Sequence, residues 1–234
     1  MTKMQISIII PTYNEAAVIH QLVSFLISAS NNMLLEIIVS DGGSTDETIT
    51  LATKAGARAI TSPEKGRAAQ MNYGASYATG QILYFVHADT FPPINFANDI
   101  VKAIENGYSF GRYRTKFDSS KKILLFNAWF TRFDLFICYG GDQTLFVDRQ
   151  LFELIGGFNA SMRIMEDYDI VIRAKSTGAR YKIFSGAALI SARKYETNSW
   201  LRVQTANYTI IRMYKKGATQ EEMAERYRSL LNYR

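Results

Sequence analysis

The sequence predicts an α/β protein whose sheet is parallel in its N-terminal half, and three observations carry that reading. Short β-branched runs recur at residues 6–10, 35–40 and 82–86. Each ends abruptly, at Pro11, at Asp41-Gly42-Gly43 or at His87-Ala88-Asp89, and stretches with helical spacing lie between them. Parallel neighbours need crossovers of this length, normally helical.

The elements follow in order. Residues 6–10 form the first strand, stopped by Pro11, whose ring fixes φ and removes a backbone donor. Val18, Leu22, Phe25, Leu26 and Ala29 then recur on one helical face. A second strand covers 35–40, after which Ser44, with Glu47 three residues on, reads as the N-cap of a helix reaching Gly56. Residues 58–61 make a third strand, 67–77 a helix stopped at Gly80, and 82–86 a fourth strand that delivers Asp89. The second half is less regular: a strand of mixed character at 108–118, an apolar and aromatic stretch at 123–136, and a strand at 144–147. A short helix at 150–155 closes on Gly156-Gly157, and a helix at 166–176 closes on Gly178. Two terminal helices, 200–216 and 220–231, flank Gly217. A mixed sheet is expected there. The whole reads as one domain with a nucleotide-binding half (1–90), an acceptor half (91–190) and a C-terminal helical extension (191–234).

Composition narrows the function classes. The 234 residues, 47% hydrophobic and 21% charged, suffice for one well-buried domain. With 15 glycines and four prolines the chain is neither collagen-like nor low in complexity. The one cysteine, Cys138, forms no internal disulfide, and no Cys/His spacing offers a structural zinc site. The opening apolar run is shorter than the ~7–15-residue core of a secretory signal, and no stretch has the ~20 apolar residues of a spanning helix. The expected compartment is the cytoplasm, with peripheral contact at the inner face of the membrane as a variant. The net charge of +6 admits an anionic membrane surface, a polyanion or a phosphorylated small ligand. No nucleic-acid signature accompanies it, so nucleic acid is not an expected partner.

In open α/β sheets ligands bind outside the carboxyl ends of the strands, so residues 11–15, 41–46 and 87–89 should share one crevice. Pro11, Thr12, Tyr13, Asn14 and Glu15 make a polar turn in which Tyr13 offers a face for a base to stack on; the plainer alternative is a strand end that caps a helix. Asp41 can accept from a base N–H while Gly42 and Gly43 allow close backbone approach, although Asp-Gly-Gly-Ser is also ordinary turn chemistry. Asp89 would sit where a diphosphate lies, bridged to it by a divalent Mn2+ or Mg2+. His87 is a second candidate ligand, better suited to Mn2+, or a buried structural histidine. Asp142 and Gln143, after two glycines, could hydrogen-bond sugar hydroxyls. Arg193, Lys194 and Arg202 could meet a departing diphosphate or remain solvated surface cations. The 123–137 stretch has too many large apolar residues for one narrow stripe. With Lys121, Lys122 and Arg132 beside it, approach to a lipid-linked acceptor competes with burial in the core or a dimer contact.

Taken together, several motifs in this order resemble family 2 glycosyltransferases of the GT-A fold over roughly residues 5–180. They are Ser-Ile-Ile-Ile-Pro-Thr-Tyr-Asn-Glu, Val-Ser-Asp-Gly-Gly-Ser-Thr-Asp-Glu-Thr, Gly-Arg-Ala-Ala-Gln-Met-Asn-Tyr-Gly-Ala, a strand ending in His-Ala-Asp, and Gly-Gly-Phe followed by Glu166-Asp167. The His-Ala-Asp-Thr variant, Tyr-Gly-Gly-Asp-Gln at 139–143 and Ser-Ala-Arg-Lys-Tyr-Glu at 191–196 resemble a bacterial subgroup, the radical-SAM/selenodomain-associated transferases.

The resemblance implies a Rossmann-like mixed sheet and an inverting transfer of a sugar from a nucleotide-diphosphate donor, preferably a UDP-sugar, to a hydroxyl acceptor. It implies Pro11, Thr12, Tyr13, Glu15, Asp41 and Gly43 around the nucleoside and Arg67 as a nearby cation. Asp89 would be at the metal-bound diphosphate, and Glu166 with Asp167 at the acceptor, Asp167 acting as general base. His87 departs from the family, which usually has Asp there. Chemistry gives Asp167 a separate argument: a sugar hydroxyl becomes a competent nucleophile when a carboxylate within ~2.6–3.2 Å takes its proton. The plainer account is that acidic residues in a first helical turn gain ~0.3–1 kcal/mol from the dipole. Two rivals remain. A sugar-phosphate nucleotidyltransferase would want a glycine-rich phosphate loop after the first strand, and residues 11–15 contain no glycine. The other is a catalytically silent nucleotide-sugar-binding or partner-binding protein, with His87 marking a decayed metal site.

Overall fold

A computed structural model describes residues 4–30, 32–140 and 144–232. Strands β1 (Ile6–Thr12), β2 (Leu34–Asp41), β3 (Arg58–Thr61) and β4 (Ile82–Phe85) alternate with helices α1 (Ile19–Ala29), α2 (Thr48–Lys54) and α3 (Arg67–Tyr77). There follow β5 (Thr90–Phe91), α4 (Phe96–Glu105), β6 (Phe110–Asp118), α5 (Ile123–Phe130), a single 3-10 turn at Phe136–Cys138, β7 (Leu145–Asp148) and α6 (Arg149–Leu154). The chain ends with α7 (Glu166–Ser176), β8 (Tyr181–Ser191), α8 (Arg193–Thr197), α9 (Trp200–Lys215) and α10 (Gln220–Leu230).

All eight strands join one sheet in the order β3-β2-β1-β4-β7-β6-β8-β5. The first four run parallel, β7 is antiparallel to β4 and β6, β6 and β8 are parallel, and β5 is antiparallel to β8. The architecture is the mixed α/β sheet that the sequence predicts.

Strand periodicity explains why two cores form. Along β1, Ile6, Ile8 and Ile10 face one way, into a core with Leu22, Leu26, Phe96 and Ile100. Ile9 faces the other, with Ile38, Met71, Leu83 and Phe85. α3 lies close on this second face: a Cβ at Gly74 would come within 2.6 Å of the Ile9 side chain. No helix among the described residues is long and apolar enough to cross a membrane.

Several expectations are corrected. β1 does not stop at Pro11, because parallel pairing with β2 carries it on to Thr12, opposite Asp41, and an extended strand accommodates the φ of proline. Ser44 does not cap α2, which starts later, at Thr48. The Ser44 hydroxyl instead donates to Asp41, and Asp46 accepts the Thr48 N–H at 3.0 Å. β5, α4, β8 and α8 were not anticipated from the sequence.

Candidate active site

Asp41, wholly buried at the tip of β2, organises the first part of the site. Its carboxylate accepts from the Thr12 hydroxyl at 3.0 Å, the Gly43 N–H at 2.9 Å, and both the N–H (2.7 Å) and hydroxyl of Ser44. Gly43 makes this possible with a φ of 89°, a conformation open to glycine at no steric cost. Asn14, at a φ of 55°, locks the neighbouring loop to it: its N–H donates to Ser44 Oγ and its side-chain oxygen accepts the Thr45 N–H, both at 2.8 Å. The Glu15 N–H donates to Thr48 Oγ1 at 2.9 Å. The loops after β1 and β2 are thereby knitted into one surface. Tyr13 projects from it, 53% exposed, with the Lys65 ammonium 5.8 Å from its ring.

Gln70, a residue of the Gly-Arg-Ala-Ala-Gln-Met-Asn-Tyr-Gly-Ala motif that the sequence did not single out, supports this surface from below. Its Nε2 donates to the Thr12 carbonyl at 2.6 Å and the Ser40 carbonyl at 2.9 Å. Gly42 passes so close that a Cβ there would lie 3.0 Å from the Gln70 amide. The available signal was a polar residue on the buried, strand-facing side of a helix.

The second part is a cluster of charge. Arg193, at the start of α8, reaches back to the strand tips and donates to Glu15 at 3.1 Å and to Asp89 at 2.8 Å. Its side chain is 46% exposed, and the two carboxylates are mostly covered. Burial opposes the Arg193 charge, but hydrogen bonds to Asp89 and Glu15 outweigh it and hold the guanidinium more firmly protonated than usual. Glu15 is raised above its ordinary 4.5, chiefly by burial and partly by the charge of Asp89, against the lowering effect of Arg193. The space between Glu15 and Asp89 is filled by a positive charge of the chain itself. Two hard carboxylates suit Mg2+ or Mn2+, which take their other ligands from phosphate and water. Among the described residues no three His, Cys, Asp or Glu converge on one point, so His87, buried beyond the end of β4, completes no preformed cage.

The third part is carried by α7. Met165 precedes it in the left-handed region, φ 69°, and the turn brings Glu166 and Asp167 into the first helical turn. Glu166 is almost fully buried, and its Oε1 lies 2.7 Å from Arg67 Nε, at the start of α3. Both oxygens are buried, and beyond this ion pair neither has a hydrogen-bond partner among the described residues. Arg67 is thus paired with a carboxylate, a relation the sequence did not disclose. Asp167 is half-buried. Beside it the Tyr168 ring packs on the backbone of Gly140, where a Cβ would overlap it, and burial together with the Asp167 charge pushes the phenol up to about 12. Asn72 of α3 exchanges two hydrogen bonds with Phe158, at 2.7 and 2.8 Å, in the segment leading to α7.

One helix, α3, therefore links Glu166 through Arg67 to the tips of β1 and β2 through Gln70, while Glu15 extends the same edge to Asp89 and Arg193. Asp142 and Gln143 lie outside the described residues. Arg202 donates to the Leu230 carbonyl at 2.6 Å, and the Lys194 ammonium lies 5.7 Å from the Tyr227 ring.

Comparison with known proteins bears on the family and the fold. The family model "Glycosyl transferase family 2" matches residues 7–167. A PGL/p-HBAD biosynthesis glycosyltransferase of Mycobacterium bovis is 31% identical over 194 residues, 74% of this chain and 70% of the relative. Among solved structures, the mannosyltransferase PcManGT from Pyrobaculum calidifontis, in complex with GDP-Man and Mn2+, superposes with a TM-score of 0.69 at 19% identity. That match covers 92% of this chain and 65% of the mannosyltransferase. Glucosyl-3-phosphoglycerate synthase from Mycobacterium tuberculosis, with Mn2+, UDP and glucosyl-3-phosphoglycerate, gives 0.64 at 16% identity, covering 92% and 81%. These likenesses place the fold in the GT-A class. They reach the family and not the narrower subgroup suggested by residues 139–143 and 191–196.

Proposed function

The chain belongs to glycosyltransferase family 2, and from that premise we propose an inverting transfer of a sugar from a nucleotide diphosphate to a hydroxyl acceptor at the edge described above. The observation that carries the reading is the pair Glu15 and Asp89 closed on Arg193, beside strand tips shaped to take a nucleoside.

The nucleoside lies against Pro11, Thr12 and the open face of Tyr13. Uridine is the proposed base. Two of the donors on Asp41 are hydroxyls, which can rotate away and leave a carboxylate oxygen to uracil N3–H, whereas the Gly43 and Ser44 amides are fixed. The diphosphate extends toward Asp89, where Arg193 supplies positive charge. Asp89 would hold a divalent ion, with His87 as the further candidate; when bound, such an ion supplies neutralisation of the charge building on the leaving group. Asp167 takes the proton from the acceptor hydroxyl as its oxygen bonds to the anomeric carbon, and the pair of the broken C–O bond departs with the diphosphate. A single displacement from the opposite face inverts the centre. Glu166 fixes Arg67 from its buried position in the first turn of α7. A lipid-linked alcohol is the acceptor class proposed.

Replacing Asp167 by Asn tests the assignment. UDP and donor affinity, read by calorimetry with Mn2+, should stay within a few fold while turnover falls at least ~100-fold, the usual size of a general-base contribution. Unaltered turnover would remove Asp167 from the reaction. Absence of UDP and GDP binding to the unmodified protein, with and without Mn2+, would overturn the transfer itself.

A further inference from the structure

The stretch from α5 to Ile137 is the part of the molecule that folding leaves least covered. Of α5 only Leu124 is buried. Leu125 (65%), Phe126, Trp129, Phe133, Leu135 and Ile137 (58%) all remain exposed. Their rings are contiguous: Phe126 meets Phe130 at 4.8 Å, and Trp129 meets Phe130 at 5.1 Å and Phe133 at 4.8 Å. Burying large apolar side chains is favourable in proportion to the area removed from water, so the contiguous face is a driving force for association.

The charge around it selects the partner. Lys122, at the start of α5, is exposed, whereas the neighbouring Lys121 turns its ammonium onto the Tyr195 carbonyl. The Arg132 guanidinium lies over Trp129, 5.0 Å from the ring, and at the far end the Lys215 ammonium is 5.0 Å from the Phe136 ring. The acidic groups nearby are Asp134, paired with Lys175, and Asp118 at the end of β6. Amphipathic aromatic and long basic side chains bordering an apolar face fit the interface of an anionic bilayer. A two-fold contact with a second copy would instead bring the same cations together.

We propose that the face from α5 to Ile137 docks in the plane of an anionic lipid surface, aromatic side chains inserted and Lys122, Arg132 and Lys215 among the headgroups. The face is tied to the candidate active site. Asn127 of α5 accepts from Trp200 Nε1 at 2.9 Å and donates to the Tyr195 hydroxyl at 3.0 Å, and Tyr195 sits on α8, the helix that Arg193 begins. Docking would therefore set the Asp89 edge beside the membrane. It rests on the surface alone and stands or falls independently of the transfer reaction.

Sedimentation of the purified full chain with vesicles tests it. Phosphatidylcholine vesicles containing phosphatidylglycerol should carry the protein down, pure phosphatidylcholine much less, and added salt should weaken binding. Phe126→Ser with Trp129→Ser should reduce binding at least tenfold, with circular dichroism confirming the fold. Arg132→Gln, which removes a border charge and no apolar area, should reduce it about fivefold, the equivalent of ~1 kcal/mol per basic residue at an anionic surface. No sedimentation with either vesicle would overturn the proposal. So would a dimer, seen by analytical ultracentrifugation, that the serine variants dissociate, because the face would then belong to a second copy.

Discussion

Asp41 and the Asp89–Glu15 pair stand on either side of β1, and they are stabilised in opposite ways. The Asp41 carboxylate is met by uncharged donors from its own loop and from Thr12, so its charge is satisfied by the fold itself. Asp89 is met by one guanidinium that arrives from 104 positions away in sequence and stays half in solvent. The first arrangement can open at its two hydroxyls but cannot be exchanged whole, because the Gly43 and Ser44 amides are fixed by the loop. The second can be, since a cation or a diphosphate entering the edge competes with a single side chain.

The largest way to break this contrast is Asp41→Ala. It leaves several buried donors without an acceptor, each costing about 1–3 kcal/mol, and should lower unfolding stability in urea by about 3 kcal/mol or more. Asp89→Ala should change stability by no more than about 1 kcal/mol, as expected where the paired cation is exposed, yet weaken UDP binding in Mn2+ at least tenfold by calorimetry. If the two variants lost similar stability, the distinction would fail. The smallest effect sharpens it. Arg193→Ala removes the influence that lowers Glu15 and leaves burial and Asp89, which raise it, so the Glu15 titration followed by NMR should move further above 4.5. The sign for stability follows: a folded-state pKa raised above the unfolded one means that folding binds the proton, so the Glu15 contribution is greatest below pH 4.5. It declines as pH rises through the folded value, over a wider window in the variant. An unmoved titration would show that Arg193 does not govern this carboxylate.

How much was legible follows the same line. β1, β2 and β4 are apolar runs closed by turn residues or a polar triplet, so local pattern sufficed. α4 also had a signal, in the spacing of Phe96, Ile100 and Val101, which went unread. β8 had little: Ser185-Gly186-Ala187-Ala188 lacks strand formers, and it is a strand because β6 holds it, with a register shift between Tyr113 and Arg114. In the site, the strand ends foretold that Asp41 would close β2 and Asp89 follow β4, and helical spacing that Asp167 would lie in the first turn of α7. What each touches was not foretold. The clasp of Arg193 on Glu15 spans 178 positions, and the pairing of Arg67 with Glu166 joins separate helices. No periodicity reports such contacts, because they are set by how the second half packs on the first.

Gln70 leaves the protein little freedom to be redesigned at this edge. One neutral NH2 serves two main-chain oxygens at once. A glutamate of the same shape would turn acceptors toward acceptors, and a lysine would bring a buried charge. Any recoding of α3 to accept another base or sugar must therefore be written around this amide, and the tolerant positions for such engineering lie on the exposed side of the helix.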